Sequence, residues 1–461
     1  MGFATAGFLG FLAVTALLYA LAPRAQRGLL LVVASYVFYV QWSGWFAALL
    51  FGSTLLTFFA ARSRSAALAV TALIFLILVW FKSLPLMGLN GLIPLGVSYY
   101  SFKLAGYLID CHWGAIEPER RLLPFLAFAS FFPQIVAGPI QRAQTFLPQV
   151  QQAASPSRAD CARAVLRIVL GFFKKFVLAD NLGMIVNYAY AHLAGQPSAA
   201  AAFGFYGYPL QMYADFSGIT DIAIGASKLL GIDAPENFNA PFAAPSPSEY
   251  WRRWHMTLTL WMTDYVFTPL RMALRSFGNV GLVVSLFGNM ILIGLWHGFY
   301  WTFALFGAVH ALYLSVDALT QRARRRWYKK YPQLDRVTNW LGPLLTFHLI
   351  AVAFVFFRAD SIATVAAMFR QLLSGWGPLT PEFRELISSG STSMLVLAAA
   401  WLVMESADAL RRKYWNRDLP FTAPRWARWA GYGVATMTMF LLMCLLLTDV
   451  REKSPFLYEI F

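Results

Sequence analysis

The chain has 461 residues, of which 59% are hydrophobic and 13% are charged, whereas an ordinary soluble domain carries roughly 25% charged residues. Lysine and arginine exceed aspartate and glutamate by 15, and the basic residues stand in short loops between apolar segments. The composition excludes a soluble domain. The charge indicates contact with anionic lipid on the cytoplasmic side of a membrane rather than with nucleic acid.

The first part of the chain, residues 1–91, is predicted to consist of ordinary membrane spans, since its apolar segments approach the roughly 20 residues that cross a bilayer. These spans are predicted at 4–22, 28–41, 44–61 and 66–82. The first has no positive charge before it, so we interpret it as a retained span rather than a signal peptide. A cytoplasmic turn at Arg62 and Arg64 then places the N-terminus outside.

The middle part, residues 92–310, contains apolar segments that are broken by proline, glycine and isolated polar residues, as at 93–98 and 132–139. Lipid cannot satisfy the backbone groups that such breaks release, so broken segments must be buried in protein or line a cavity. Any single break is equally typical of a kink between packed helices. The density of breaks favours a cavity, and we therefore expect the functional residues here.

Uninterrupted apolar segments return at the end of the middle part and continue through the last part, residues 311–461. Spans are predicted there near 280–296, 299–318, 338–357, 391–410 and 427–448, with a shorter interfacial helix at 362–374. The total is about eleven crossings. The sequence thus predicts a single all-α polytopic membrane domain that includes broken, re-entrant and interfacial helices.

His297 stands in the segment Gly294-Leu-Trp-His-Gly298, between two apolar stretches. Intramembrane ionisable residues are costly and are functional candidates by default, and imidazole suits general base catalysis near neutral pH. The two flanking glycines leave room beside the ring for a substrate or a second backbone. The alternative is a histidine that only hydrogen-bonds a neighbouring helix.

His255 follows a strong helix start, in which Ser246 is the N-cap, Pro247 the first helical residue and Glu249 the partner in a capping box. A single helix from this start would place His255 on an aromatic face. The other members of that face are Trp251, Trp254, Leu258, Met262 and Tyr265. A site role is expected for His255, with a satisfied core histidine as the alternative, whereas Arg252 is equally typical of an arginine that snorkels to phosphate.

Asp215 and Asp221 interrupt a long apolar stretch and need partners at that depth. Three uses remain open: orientation of a histidine, pairing with Arg252 or Arg253, or capping of a helix start. No metal is assigned, because the two carboxylates lack a clustered third ligand. The three cysteines, 111, 161 and 444, also lack ligand spacing, so neither structural zinc nor a disulfide framework is expected.

The remaining histidines carry weaker signals. His310 follows His297 by thirteen residues, which is about 220° around one unbroken helix, so the two are not expected to share a face. His112, His192 and His348 have no surrounding pattern and are expected to be structural or solvated.

Six segments in this order resemble the membrane-bound O-acyltransferase family, and specifically its bacterial branch that is typified by the alginate O-acetylation membrane protein. The segments are Pro94-Leu-Gly-Val-Ser-Tyr-Tyr-Ser-Phe102, Phe131-Phe-Pro-Gln-Ile-Val-Ala-Gly-Pro139, Asp215-Phe-Ser-Gly-Ile-Thr-Asp221, Pro235-Glu-Asn-Phe-Asn-Ala-Pro241, Trp251-Arg-Arg-Trp-His-Met-Thr-Leu258 and Gly294-Leu-Trp-His-Gly298. The resemblance covers about 92–310, with weaker similarity at Val355-Phe-Phe-Arg-Ala-Asp360 and Pro455-Phe-Leu-Tyr458. Six ordered motifs are specific together, whereas any one alone is not.

The resemblance implies a ring of helices around a central catalytic cavity, with His297 as the catalytic residue and His255 as the second site residue. Supporting or substrate-binding roles are expected in the same motifs for Trp296, Asp215, Trp254, Arg252, Asn237 and Asn239. It also implies an acyl thioester donor from the cytoplasm, on coenzyme A or an acyl carrier protein, and no permanently bound cofactor. The acyl group, expected to be acetyl, would pass to hydroxyls of an extracytoplasmic polysaccharide with the help of an extracytoplasmic acetyltransferase, at the bacterial inner membrane.

One segment departs from the branch. After Tyr265 the alginate-type proteins usually continue with Pro-Leu-Gly-Gly, whereas this chain reads Val266-Phe-Thr-Pro-Leu-Arg-Met-Ala-Leu274. Alginate is therefore not named as the acceptor, and D-alanine remains an alternative acyl group because the related D-alanyl transferases share both histidine motifs. A transporter or channel without covalent chemistry is the competing class.

Overall fold

A computed structural model describes residues 5–89, 93–193, 197–388 and 390–414. Every regular element within these ranges is helical, which confirms the predicted all-α class. The last predicted span, 427–448, lies outside the described residues.

The first part forms four helices close to the predicted spans. They are α1 (Ala6–Leu21), α2 (Arg24–Ser43), α3 (Phe46–Ala60) and α4 (Arg64–Ser83). The start of α4 follows from its sequence, since the Ser63 hydroxyl accepts a hydrogen bond from the Ala66 N–H, as an N-cap does.

The middle part forms shorter and less regular helices. They are α5 (Val97–Trp113), α6 (Leu122–Ser130), α7 (Phe132–Ile135), α8 (Ala143–Gln152), α9 (Arg158–Phe173), α10 (Asp180–Ala191), α11 (Ser198–Leu229), α12 (Pro247–Trp251), α13 (Met256–Met262) and α14 (Thr268–Ala273). A π-helical turn joins α9 to α10, and a second joins α13 to α14.

The predicted breaks at 93–98 and 132–139 are confirmed, and protein groups satisfy the backbone there. The N–H of Phe132 donates to the Ser35 hydroxyl at 3.1 Å, and the N–H of Ile140 donates to the Thr257 hydroxyl at 3.0 Å. Both bonds are buried. Irregular backbone at membrane depth needs such protein partners, because neither lipid nor water is there to hydrogen-bond it.

The last part returns to long helices. They are α15 (Gly278–His297), α16 (Trp301–Lys330), α17 (Pro332–Arg358), α18 (Ile362–Leu373), α19 (Pro381–Ser388) and α20 (Met394–Tyr414). Among the described residues, four helical segments are long and apolar enough to cross a membrane: Arg64–Met87, Arg275–His297, Trp301–Lys330 and Arg336–Arg358. The total of eleven crossings stays a prediction.

The centre of the fold is α11, which is buried along most of its length. It packs against α9 without room for a side chain at Gly171, where a Cβ would overlap the carbonyl oxygen of Gly218. Close approach of backbones at small residues is the usual packing of helices in membranes. The two aspartates of the third motif therefore lie deep in the protein.

Both aspartates are paired with cations of the π-helical turn and of α9. Asp215 accepts from Lys175 at 3.0 Å, and Asp221 accepts from Arg167 at 2.9 Å and from Lys174 at 2.6 Å. The expected need for partners is confirmed, and the use that the structure shows is structural pairing, whereas helix capping and pairing with Arg252 or Arg253 are wrong. Neither aspartate caps a helix, because α11 continues through both, and Arg252 and Arg253 lie elsewhere.

Candidate active site

His297 is the last residue of α15, at the turn into α16. The two helices approach closely because a Cβ at Gly294 would overlap the carbonyl oxygen of Phe303, and one at Gly307 would overlap that of Met290. The room predicted beside the Trp-His pair is thus occupied at Gly294 by a second backbone. The single-helix assumption behind the 220° offset of His310 is wrong, since the chain turns between α15 and α16.

Aromatic rings and one lysine surround His297. Its ring centroid lies 4.6 Å from that of Trp296 and 4.7 Å from that of Phe357. The ammonium of Lys82, in the last turn of α4, donates to the His297 carbonyl oxygen at 3.4 Å. A cation suits the end of a helix, where carbonyl groups lack intrahelical donors and the macrodipole is negative.

The helix predicted to carry His255 begins as expected but does not continue. The Ser246 hydroxyl accepts from the Glu249 N–H at 3.3 Å, while the Glu249 carboxylate pairs with Arg252 rather than completing a capping box. The first helix ends at Trp251, and His255 adopts φ 42°, the left-handed region, before α13 begins. The predicted unbroken helix is therefore wrong, although Trp251, Trp254 and Leu258 of the predicted face still line one cavity with His255.

Asn237, from the loop before α12, accounts for this break. Its carbonyl oxygen accepts from the Thr257 hydroxyl at 2.9 Å and from the Thr257 N–H at 3.1 Å, so it caps the start of α13. The left-handed conformation of a non-glycine residue is costly and persists only where its surroundings require it. Here the two hydrogen bonds from Thr257 to Asn237 hold His255 in the left-handed conformation.

The same oxygen of Asn237 sets the tautomer of His255. A backbone N–H only donates, so the atom that faces Thr257 is the amide oxygen and not the nitrogen. This oxygen lies 3.1 Å from Nδ1 of His255, which must therefore carry a proton. In the neutral ring, Nε2 then holds the lone pair and can act as a base.

His255 and His297 line one small cavity. The other lining residues are apolar or aromatic: Met212, Trp251, Trp254, Leu258, Ile293, Phe306, Phe354 and Phe357. Trp296 packs between the two histidines, with its ring centroid 6.0 Å from that of His255. Two imidazoles at the wall of an apolar cavity can move a proton to and from a bound substrate.

Five predicted site residues do not line this cavity: Trp296 and Asn237, which contact its histidines, and three that stand further away. Asp215 is held by Lys175 behind it, Arg252 pairs with Glu249 with 69% of its side chain exposed, and the exposed Asn239 contributes only its N–H, to the Arg253 carbonyl at 3.0 Å. Trp254 does line the cavity, and Asn237 holds His255 from outside it. Among the described residues no group of three or more His, Cys, Asp or Glu is placed to hold a metal ion.

The sequence analysis missed Lys82, Phe354 and Phe357. A lysine at the end of a span usually snorkels to the interface, but Lys82 is buried. The two phenylalanines stand in a span whose composition does not distinguish lipid-facing from cavity-facing positions. The only available signal for them was the weaker family-like segment at 355–360.

Comparison with known proteins supports the motif-based resemblance. The model of the membrane-bound O-acyltransferase family matches residues 120–357, just over half of the chain. A protein of Pseudomonas putida named as a probable alginate O-acetylase AlgI is 30% identical over 97% of this chain and 97% of its own.

Two further relatives carry different names. A peptidoglycan O-acetyltransferase of Helicobacter pylori is 28% identical over 86% of this chain and 83% of its own. A teichoic acid D-alanyltransferase of Bacillus subtilis is 32% identical over 57% of this chain and 68% of its own. The chain belongs to the membrane-bound O-acyltransferase family and is a multi-pass membrane acyltransferase.

Proposed function

We propose that this protein transfers an acetyl group from a cytoplasmic carrier thioester toward hydroxyls of an extracytoplasmic polysaccharide, with His297 as the catalytic residue. The observation that carries the proposal is the cavity that His297 and His255 share. The names of two relatives, an alginate O-acetylase and a peptidoglycan O-acetyltransferase, support acetyl as the group and an envelope polymer as its destination.

The proposed chemistry is an acyl transfer with one proton moved. The lone pair of a histidine takes the proton of the incoming hydroxyl, the hydroxyl oxygen bonds to the acyl carbon, and the carbon–sulfur bond of the thioester breaks. The thiolate then receives the proton, so the products are an ester and a free thiol. Attack of His297 itself on the thioester is the other route, and both use the same residue.

The topology supports a position of His297 toward the extracytoplasmic side of the membrane. If the basic turns at 62–64 and 322–330 are cytoplasmic, the C-terminal ends of α4 and α15 both lie toward the outside. The contact between Lys82 and the His297 carbonyl requires these two ends to share one depth. We infer a bacterial inner-membrane location, about eleven crossings around the cavity and an extracytoplasmic acetyltransferase that completes the reaction.

The test is a comparison of His297→Ala with the wild-type chain. We expect the variant to accumulate in the membrane and to abolish esterification of the envelope polymer, measured by mass analysis of acyl groups released with mild base. An exposed histidine offers a matched control: His192→Ala should leave the ester content unchanged. Normal esterification in the His297→Ala strain would refute the catalytic assignment.

D-alanyl transfer is the second candidate, supported by the teichoic acid D-alanyltransferase relative. The same released material separates the two, since D-alanine and acetate differ in mass. Movement of a solute without consumption of any acyl thioester would instead support a transporter.

A further inference from the structure

The cavity wall contains a buried polar contact that the proposed reaction does not use. His310, on α16, is fully buried, and its Nδ1 lies 3.2 Å from the indole nitrogen of Trp251. An indole N–H only donates, so Nδ1 is the acceptor and the proton of the neutral ring is on Nε2. His310 is thereby fixed in one tautomer, with Trp251 as the group that it orients.

His310 contacts two residues of the cavity wall that come from different helices. Its ring centroid lies 5.0 Å from that of Trp251 on α12 and 4.6 Å from that of Phe306 on α16, both in edge-to-face geometry. Tyr250 stacks parallel to it at 6.3 Å. His310 therefore fills the space between α12 and α16 and supports the wall from behind.

Large aromatic rings form much of the cavity wall around the two histidines. Trp251, Trp254, Phe354 and Phe357 all line the cavity, and the ring centroids of Trp254 and Phe354 lie 5.7 Å apart. A thioester carbonyl placed at His297 would direct its acyl chain toward these rings. Each added methylene must then displace a packed aromatic side chain, which interiors of native density resist.

We infer that Trp251, held by His310, sets the maximum length of the acyl group and restricts the enzyme to short chains such as acetyl. The inference rests on the proposed acyl transfer and adds a specificity-determining wall to it. His310 acts as a positioning residue, since it reaches the substrate only through the wall residues Trp251 and Phe306. A hydrogen bond buried among apolar rings suits this role because the indole N–H has no water to replace a lost acceptor.

The experiment uses membranes that contain the full chain and its acceptor polymer, with acetyl-, propionyl- and butyryl-coenzyme A as the probes. The readout is the ratio of butyryl to acetyl ester formed, after subtraction of the product formed by His297→Ala membranes. One methylene in an apolar pocket is typically worth about 10- to 200-fold in rate. We therefore expect Trp251→Phe, which shortens the wall and removes the donor, to raise the ratio at least about 10-fold.

Substitutions of His310 test the positioning role separately. His310→Leu removes the acceptor and should raise the ratio in the same direction, whereas His310→Asn keeps an acceptor near the position of Nδ1 and should restore the wild-type ratio. His348→Leu is the matched control, because His348 is exposed and bonded to Tyr206 at 3.0 Å. A loss of structure alone would lower all three rates together and leave the ratio unchanged.

The two possible failures are distinguishable. If wild-type membranes form no ester that depends on His297, the proposed function fails and the inference fails with it. If they form acetyl ester but Trp251→Phe and His310→Leu keep the wild-type ratio, the inference alone is overturned.

Discussion

Asn237→Ala is predicted to damage the active site without touching its cavity. The substitution removes the oxygen that accepts from Thr257 and from Nδ1 of His255. A buried donor that loses its acceptor costs about 1–3 kcal/mol. Three donors lose this acceptor. The Thr257 hydroxyl can rotate to another acceptor, whereas the Thr257 N–H and the His255 Nδ1–H cannot, so the expected loss of unfolding free energy is about 2–6 kcal/mol.

The folded part of the variant should also lose activity when esterification is measured below the unfolding temperature. Without Asn237, His255 is free to leave its left-handed conformation and to exchange its tautomer. A displacement of about 1 Å in a catalytic group costs about 10²-fold in rate. We expect a comparable loss of polymer esterification per amount of folded protein, with folded protein measured by size-exclusion chromatography after graded heating in detergent.

Asn239→Ala is the matched control, because it makes the same change two residues away at an exposed side chain. The hydrogen bond of Asn239 to Arg253 is made by its backbone N–H, which the substitution keeps. It should keep both the wild-type midpoint of unfolding and the wild-type esterification. Wild-type values for Asn237→Ala as well would refute the derivation of the His255 tautomer from this bond.

Two further predictions concern packing. Arg167→Met should lower the unfolding free energy by about 3 kcal/mol, because the buried carboxylate of Asp221 and the partly exposed one of Glu236 both lose their guanidinium. Arg163→Met, at a partly exposed pair, should cost at most about 1 kcal/mol. Thermal unfolding of the two variants in detergent checks the difference, and equal midpoints would contradict it. Gly294→Ala should prevent stable accumulation of the chain, since the added Cβ would overlap the Phe303 carbonyl oxygen. Gly52→Ala is the control and should accumulate normally, because its Cβ would meet nothing within 4 Å. Immunoblots of membranes measure both levels, and a normal level of Gly294→Ala would disprove the close approach of α15 and α16.

The sequence predicted the features that are determined by residues close together in the chain, such as the bounds of helices. The bounds of α4 and α15 follow from apolar length and from local signals such as the Ser63 N-cap. The pairing of His297 and His255 at one site came from the order of motifs rather than from periodicity. Local patterns and motif order were therefore sufficient for the class of fold and for the two histidines.

The errors have one physical origin, which is that contacts from distant segments override local patterns. The helical periodicity around His255 is real, but Asn237 supplies a cap for Thr257 that ends the helix. Asp215 resembled an orienting carboxylate, but its partner Lys175 stands forty residues earlier. No local pattern encodes such pairs.

The contact between Lys82 and His297 joins residues that are 215 positions apart in the sequence, and Phe357 completes the cavity a further helix pair later. At a synthesis rate of about 5–20 residues per second, a growing chain spends many seconds in the membrane with one histidine made and its enclosure missing. The wall around His297 is therefore complete only after α17 has been synthesised and has packed against α15 and α16.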